Sequence, residues 1–271
     1  MSTTDLSTFV NDYQLEVDAT KFWIPYWRDE LPSTDNLAPL TGPYKGKGTP
    51  PQLLHNLQGY LKTSTDRQPG GAQFYRHLMR RLHLGVDCSG FAFCVLEQWL
   101  AAQDIALAEH LFKPRTALLA DFDNPVYQHP PKITRALLEA QPEQVPLSTI
   151  QEFWGNHPIR LAGVALLTSP AATVTVAAAD DVQPGDLIRS VGSDGILHCM
   201  VIVKRTGDEL TYAHSARTSV NDLGGVEYGQ ITLTDPAQGI VQQRWGNTLH
   251  QRLQFTAQPV HRLKVADVDR G

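Results

Sequence analysis

At 271 residues the chain can bury a good core as one large domain, or as one domain with extensions. Its 42% hydrophobic and 19% charged residues are ordinary globular values, and a net charge of −5 gives no basis for a nucleic-acid or anionic-membrane partner. Three cysteines make no disulfide framework.

Residues Met1–Leu6 lack the basic and apolar regions of a cleaved signal peptide. No apolar run approaches the roughly 18 residues of a membrane span. The expectation is a protein that acts in the cytoplasm or is exported without a cleaved signal, with no membrane insertion. Residues 1–31 read as partly helical, with an aromatic cluster of Phe22, Trp23, Tyr26 and Trp27 closed by Pro32. Residues 32–51 read as a Pro- and Gly-rich loop. Its Gly46-x-Gly48 is too short and too Pro-flanked to cradle a phosphate. Helices are expected over 52–63 and 71–83. Residues 1–70 form an extension packed on the core, and 71–271 form the main domain. A basic cluster, Arg76, His77, Arg80, Arg81 and His83, reads as a solvated helix face that could also hold a substrate carboxylate.

The most informative stretch follows. Gly85-Val86-Asp87-Cys88-Ser89-Gly90 runs directly into the apolar segment Phe91–Leu100. This pattern places a thiol in the first turn of a buried helix. The N–H groups there have no intrahelical partners, and the helix dipole puts partial positive charge there. Both favour the thiolate, which is the nucleophilic form. Cys94 and Cys199 sit inside apolar runs and read as small core residues.

Residues 101–180 read as an insertion. Turn signals occur at Asp123-Asn124-Pro125 and His129-Pro130-Pro131, a helix at 132–140, and a strand at Thr173–Val176. Ser148-Thr149-Ile150-Gln151 reads as a capping box opening a short helix at Glu152–Trp154. Val182–Ile188 is a turn leading into a short apolar run. Ile196–Val203 is a β-branched strand with His198 near its start, and Glu209–Ser215 is the return strand carrying His214. A three-residue loop pairs Lys204 with Asp208 and places His198 directly opposite His214, with Cβ atoms about 4.5–5.5 Å apart. A loop one residue longer or shorter puts the two on opposite faces. Residues 237–246 and 250–265 read as the last strands.

A helix-start cysteine, a strand histidine and a polar residue on the next strand supply a nucleophile, a general base and an orienting group. Asp-Cys-Ser-Gly, Pro-Gly-Asp-Leu, the His-led strand and Ala-His-Ser together resemble the NlpC family of papain-like cysteine peptidases, which are bacterial cell-wall endopeptidases. The resemblance covers roughly residues 80–104 and 180–216. It implies an α+β, papain-like fold, a helix packed on a small antiparallel sheet. It implies Cys88 as nucleophile, His198 as base, His214 as orienter, and a peptide or peptidoglycan-fragment substrate. It also implies a tyrosine before the cysteine that serves the oxyanion site; Tyr75, thirteen residues upstream, takes that place. The N–H groups of Cys88 and Ser89 complete the oxyanion site. The chain departs from the family in lacking a Gly-Gly pair after Tyr75, in carrying Cys199-Met200 after the histidine, and in the long interval from Cys88 to His198.

Other readings stay open. A thiol acyltransferase or amidase on the same fold needs an apolar channel, which the Phe22–Trp27 cluster could line. A non-catalytic binding module would carry the same three residues without turnover. Cys88, His198 and His214 could instead ligate zinc, but no C-x-x-C or H-x-x-x-H pair supports a metal, and no cofactor is expected. The sequence does not specify the oligomeric state.

Overall fold

The computed structural model describes residues 5–28, 46–64, 70–123, 133–154, 163–192, 195–217, 223–246 and 256–266. The N-terminal segment contains one short helix, α1 (Leu6–Asn11), capped by the Asp5 carboxylate on the Ser7 N–H. A hairpin follows, β1 (Gln14–Val17) and β2 (Thr20–Trp23). Residues 14–17 and 20–23 are therefore strand, and the aromatic cluster straddles a strand end instead of lining a helix. The turn residues Asp18 and Ala19 both have left-handed φ, 49° and 60°. That is the geometry of a tight hairpin turn, built here without the glycine that normally signals it.

Next come α2 (Pro50–Thr63), α3 (Ala72–Arg81) and α4 (Cys88–Ala101). Thr49 precedes α2, and the Gln52 side chain accepts its N–H at 3.0 Å, the reach-back half of a capping box. α4 is buried almost all round, from Cys88 to Leu96 and again at Trp99 and Leu100. A helix apolar on every side belongs in a core rather than on a surface.

The insertion forms β3 (Phe112–Pro114), α5 (Arg115–Asp123), α6 (Arg135–Glu139), β4 (Gln144–Pro146), α7 (Leu147–Trp154), α8 (Val164–Leu167) and β5 (Thr173–Val176). β3 and β4 pair antiparallel. The expected capping box at Ser148 is wrong, because α7 already starts at Leu147 and Ser148 lies inside it. The Pro-rich turn at 129–131 lies outside the described residues, as does most of the 32–51 loop.

The remaining strands are β6 (Leu187–Val191), β7 (Leu197–Thr206), β8 (Glu209–Ala216), β9 (Gly225–Thr232), β10 (Arg244–Trp245) and β11 (Thr256–Leu263). With β5 they form one seven-stranded sheet in the order β10-β9-β8-β7-β6-β11-β5, with neighbouring strands antiparallel throughout. The class is α+β, and the sheet is larger than the small one expected. β9, Gly225–Thr232, is a strand where the sequence carries no clean strand pattern. Its alternation breaks at Gly229, where any Cβ would lie 2.1 Å from the Tyr212 ring.

One hydrophobic cluster joins α1, the β1–β2 hairpin, α2, α3 and α4 to Cys199, Val201 and Val203 of β7, Ala213 of β8 and Val226 of β9. Tyr13 meets Phe91 of α4 edge-on at 5.1 Å. A second, smaller cluster contains Ile188, Met200, Ile202, Tyr212 and Ile231. The sheet is thus buried on both faces. Among the described residues, no helix is long and apolar enough to cross a membrane.

The turn at Pro184–Leu187 is a structural device. Gly185 has φ +91°, and a Cβ there would lie 2.6 Å from the Trp99 ring. Asp186, 1% exposed, receives two hydrogen bonds from Arg262 of β11 at 2.8 and 2.9 Å. The motif therefore anchors β6 between α4 and β11.

Candidate functional site

The segment before Cys88 is clamped from three directions. Val86 N–H donates to the Pro25 carbonyl at 3.1 Å, and Trp27 N–H donates to the Val86 carbonyl at 3.3 Å. Ser215 of β8 donates its hydroxyl to the same Val86 carbonyl at 2.7 Å. Asp87 N–H donates to the Gly46 carbonyl at 2.7 Å. These bonds hold the start of α4 against both the β2 exit and the β7–β8 hairpin.

Asp87 is the N-cap, and its Oδ1 accepts the Gly90 N–H at 2.7 Å. Lys47 Nζ, buried, donates to both Asp87 oxygens at 2.7 and 2.8 Å and also contacts the Ser89 hydroxyl. Ser89 Oγ donates to Asp87 Oδ1 at 3.0 Å. The glycine of the motif is required by this approach, since a Cβ at Gly90 would stand 2.2 Å from the Gly46 carbonyl oxygen and 2.7 Å from Lys47 Cδ. Burial pushes the Asp87 carboxyl upward, and Lys47 opposes it. The Ser89 side chain is thus committed to the cap. With Gly90 and Phe91 N–H groups taken by Asp87, helix geometry leaves the Cys88 and Ser89 N–H groups without intrahelical acceptors.

The hairpin register differs from expectation twice over. The turn has two residues, Gly207 and Asp208, so Thr206 pairs with Glu209 and Lys204 with Thr211. Gly207 has φ +58°, as the first central position of a Gly-X hairpin turn requires. Continued unbroken, that register would put His198 and His214 on opposite faces. The register shifts between Ile202 and Lys204, so Ile202 pairs with Tyr212 and Val201 with Ala213. The extra residue of this bulge, Val203, restores the parity. The histidines therefore share a face but are offset diagonally, not directly opposed. His198 Nε2 lies 2.7 Å from His214 Nδ1.

A fourth member extends this chain. Glu227 of β9 pairs with His214, and its Oε1 lies 3.1 Å from His214 Nε2. A carboxylate accepts, so His214 carries its proton on Nε2 and offers Nδ1 as acceptor. His198 then donates from Nε2, which leaves its Nδ1 for Cys88. Burial, then His198, pushes the His214 imidazole well below its ordinary pKa, so it stays neutral. Arg76 of α3 is buried, donates to the Gly224 carbonyl at 2.6 Å, and feels the Glu227 charge. It is therefore not part of a solvated face.

The Cys88 thiol is held well below its ordinary pKa by a hydrogen bond with Cys199, with His198 and Lys47 adding to the effect against the opposing cost of burial. Cys94, six residues along the same helix, shows the contrast. Burial pushes its thiol up to about 12, and its Sγ donates to the Lys47 carbonyl at 3.5 Å. Cys199 is more than a core residue. Its Sγ donates to the Cys88 carbonyl at 3.4 Å, and its contact with Cys88 raises its own pKa well above normal.

Tyr75 does not serve this site. Its hydroxyl donates to Asp18 Oδ2 at 2.8 Å, and its ring stacks on Phe22 at 5.3 Å. The tyrosine near Cys88 is Tyr26, which bridges Val86 in parallel. Burial, then the Cys88 charge, pushes its phenol upward, and Arg28 and Arg217 act on it in the opposite sense. Lys47, Arg76 and Tyr26 join the site through contacts spanning 40 residues or more, and Glu227 through one spanning 13 residues, for which no local pattern exists.

Among the described residues, no group of three His, Cys, Asp or Glu side chains is placed to hold a metal ion. A surface hollow lined by Thr175, Asp180, Arg205 and Arg262 shares no residue with this site. Comparison with known proteins found no matching family model, no matching curated protein and no matching solved structure.

Proposed function

We propose that the protein is a cysteine hydrolase of papain-like architecture that cleaves amide bonds through an acyl-enzyme, with peptidoglycan stem peptides or cross-links as its substrate. The observation that carries this reading is the continuous chain from the Cys88 thiol through His198 and His214 to Glu227. A structural cysteine needs no such chain. The substrate class rests on the resemblance of the Asp-Cys-Ser-Gly, Pro-Gly-Asp-Leu and Ala-His-Ser motifs to the NlpC family, since a fold alone does not assign a substrate.

In this mechanism His198 Nδ1 holds the proton taken from Cys88. The thiolate attacks the scissile carbonyl carbon, and the resulting oxyanion is met by the N–H groups at the start of α4. His198 returns the proton to the leaving amine as the C–N bond breaks. Water, deprotonated by His198, then attacks the thioester, and Cys88 leaves as thiolate. His214, kept neutral and fixed by Glu227, holds the His198 ring in one tautomer throughout.

The acyltransferase reading draws less support. Phe22, Tyr26 and Trp27 are 3%, 7% and 4% exposed, and Phe22 stacks on Tyr75 while Trp27 stacks on His83. They pack against side chains instead of lining an acyl channel.

The test is incubation of the protein with purified muropeptides, with products identified by mass spectrometry. New amine and carboxyl termini at one stem-peptide bond, absent with Cys88→Ala, are expected. Intact muropeptides beside a thiol that alkylates no faster than Cys94 would leave the binding-module reading in place.

A further inference from the structure

We propose that Cys88 and Cys199 form a reversible disulfide under peroxide, a redox modification that shuts the site and protects its nucleophile. The inference rests on the reading of Cys88 as a reactive thiolate. Its geometric basis is the placement of the second thiol. The Cys199 sulfur lies 3.4 Å from the main-chain oxygen of Cys88 itself. All three cysteines are free, and Cys199 is fully buried whereas Cys88 retains 8% exposure. A small oxidant therefore meets Cys88 first. Cys94, anchored to the Lys47 carbonyl, is not in this arrangement.

The chemistry balances with one peroxide. The Cys88 thiolate attacks a peroxide oxygen, the O–O bond breaks, and hydroxide leaves to take up the proton held on His198. Cys88 is then a sulfenic acid. The Cys199 sulfur attacks the Cys88 sulfur, the S–O bond breaks, and the departing hydroxide takes the Cys199 proton. Two thiols and one peroxide become a disulfide and two waters.

The first step prepares the second. The hydrogen bond to Cys88 and the Cys88 charge are two of the three leading causes that keep Cys199 protonated, with burial between them. A neutral sulfenic acid removes the charge, so Cys199 becomes a better nucleophile only after Cys88 is oxidised.

The experiment treats the full-length protein with excess hydrogen peroxide, since sulfenic acid takes one peroxide per thiol and sulfinic acid a second, then blocks remaining thiols and maps peptides without reduction. A peptide linking Cys88 to Cys199 is expected, cleaved by a dithiol with return of free Cys88. In Cys199→Ala the expected product is Cys88 sulfinic acid, resistant to dithiol and rising roughly tenfold over wild type. Cys199→Ser, which keeps a small polar group, serves if the alanine variant misfolds. Cys94→Ala should leave the linkage unchanged. Sulfinic acid forming equally in wild type and Cys199→Ala, or a linkage to Cys94, would overturn the proposal. The readout is a mass, so it holds whether or not the protein hydrolyses muropeptides; the alkylation rate of reduced Cys88 tests the underlying thiolate separately.

Discussion

Two buried polar clusters flank Cys88, and they differ in what burial does to them. On one side Lys47, Asp87 and Ser89 form a charged knot around the helix cap. On the other, His198, His214 and Glu227 form a line in which the buried member, His214, is neutral. The first cluster is closed on itself, so its charges cancel locally and its task is to hold the start of α4. The second runs outward to the Cys88 thiol, which Cys199 and His198 hydrogen-bond and hold below its ordinary pKa. Burial alone therefore does not distinguish the two clusters; what separates them is whether the chain of hydrogen bonds closes on a helix cap or ends on a thiol.

The sharpest way to break this comparison is to remove the group both clusters serve. Cys88→Ala should abolish turnover while circular dichroism and the melting transition stay near wild type. Turnover by the pure variant would dismiss the nucleophile. His198→Ala should lower turnover by about 10²–10⁴-fold, the usual range for a general base, and should shift the pH dependence of Cys88 alkylation toward that of an ordinary thiol. An unchanged profile would take His198 out of the site.

The charged knot should respond in stability first. Lys47→Met leaves Asp87 buried without its counter-ion, and loss of one partner of a buried pair costs about 3–5 kcal/mol. Urea unfolding measures this, and a midpoint equal to wild type would mean that Asp87 is solvated. His214 gives a milder contrast. His214→Asn should retain more turnover than His214→Ala, because the amide can still accept from His198 Nε2; equal losses would argue against an orienting role.

The smallest effect concerns acid. The His214 pKa is depressed in the folded state, so the unfolded chain binds the proton more readily. Stability is full above the unfolded value of about 6.5 and declines as pH falls below it toward the folded value. His214→Asn should flatten that decline. A wild-type curve with the same slope as the variant between neutral and mildly acidic pH would mean that His214 is not kept neutral by burial.

The start of α4 was legible because its determinants are local. An N-cap, an orphaned N–H turn and an apolar helix lie within fifteen consecutive residues, and the glycine that permits close approach is among them. The β7 and β8 strands were legible for the same reason, from β-branched runs and a Gly-Asp turn. Their register was not. It depends on a bulge at Val203, which responds to how the strand packs between two clusters and leaves no mark in the local pattern. The turn was one residue shorter than expected and the bulge added one, so the shared face of the two histidines survived a pair of opposite departures.

The sequence by itself determined which thiol begins a helix, which histidines lie on adjacent strands, and that the chain mixes helix with antiparallel sheet, because propensity, capping and alternation act over a few residues. Only the tertiary structure decided that Tyr26 rather than Tyr75 lies beside Cys88, that Glu227 ends the histidine line, and that Lys47 neutralises the cap. It also decided that Cys199 touches Cys88. These contacts join residues from 13 to 111 positions apart, and their partners are chosen by packing and by the need to satisfy buried polar groups.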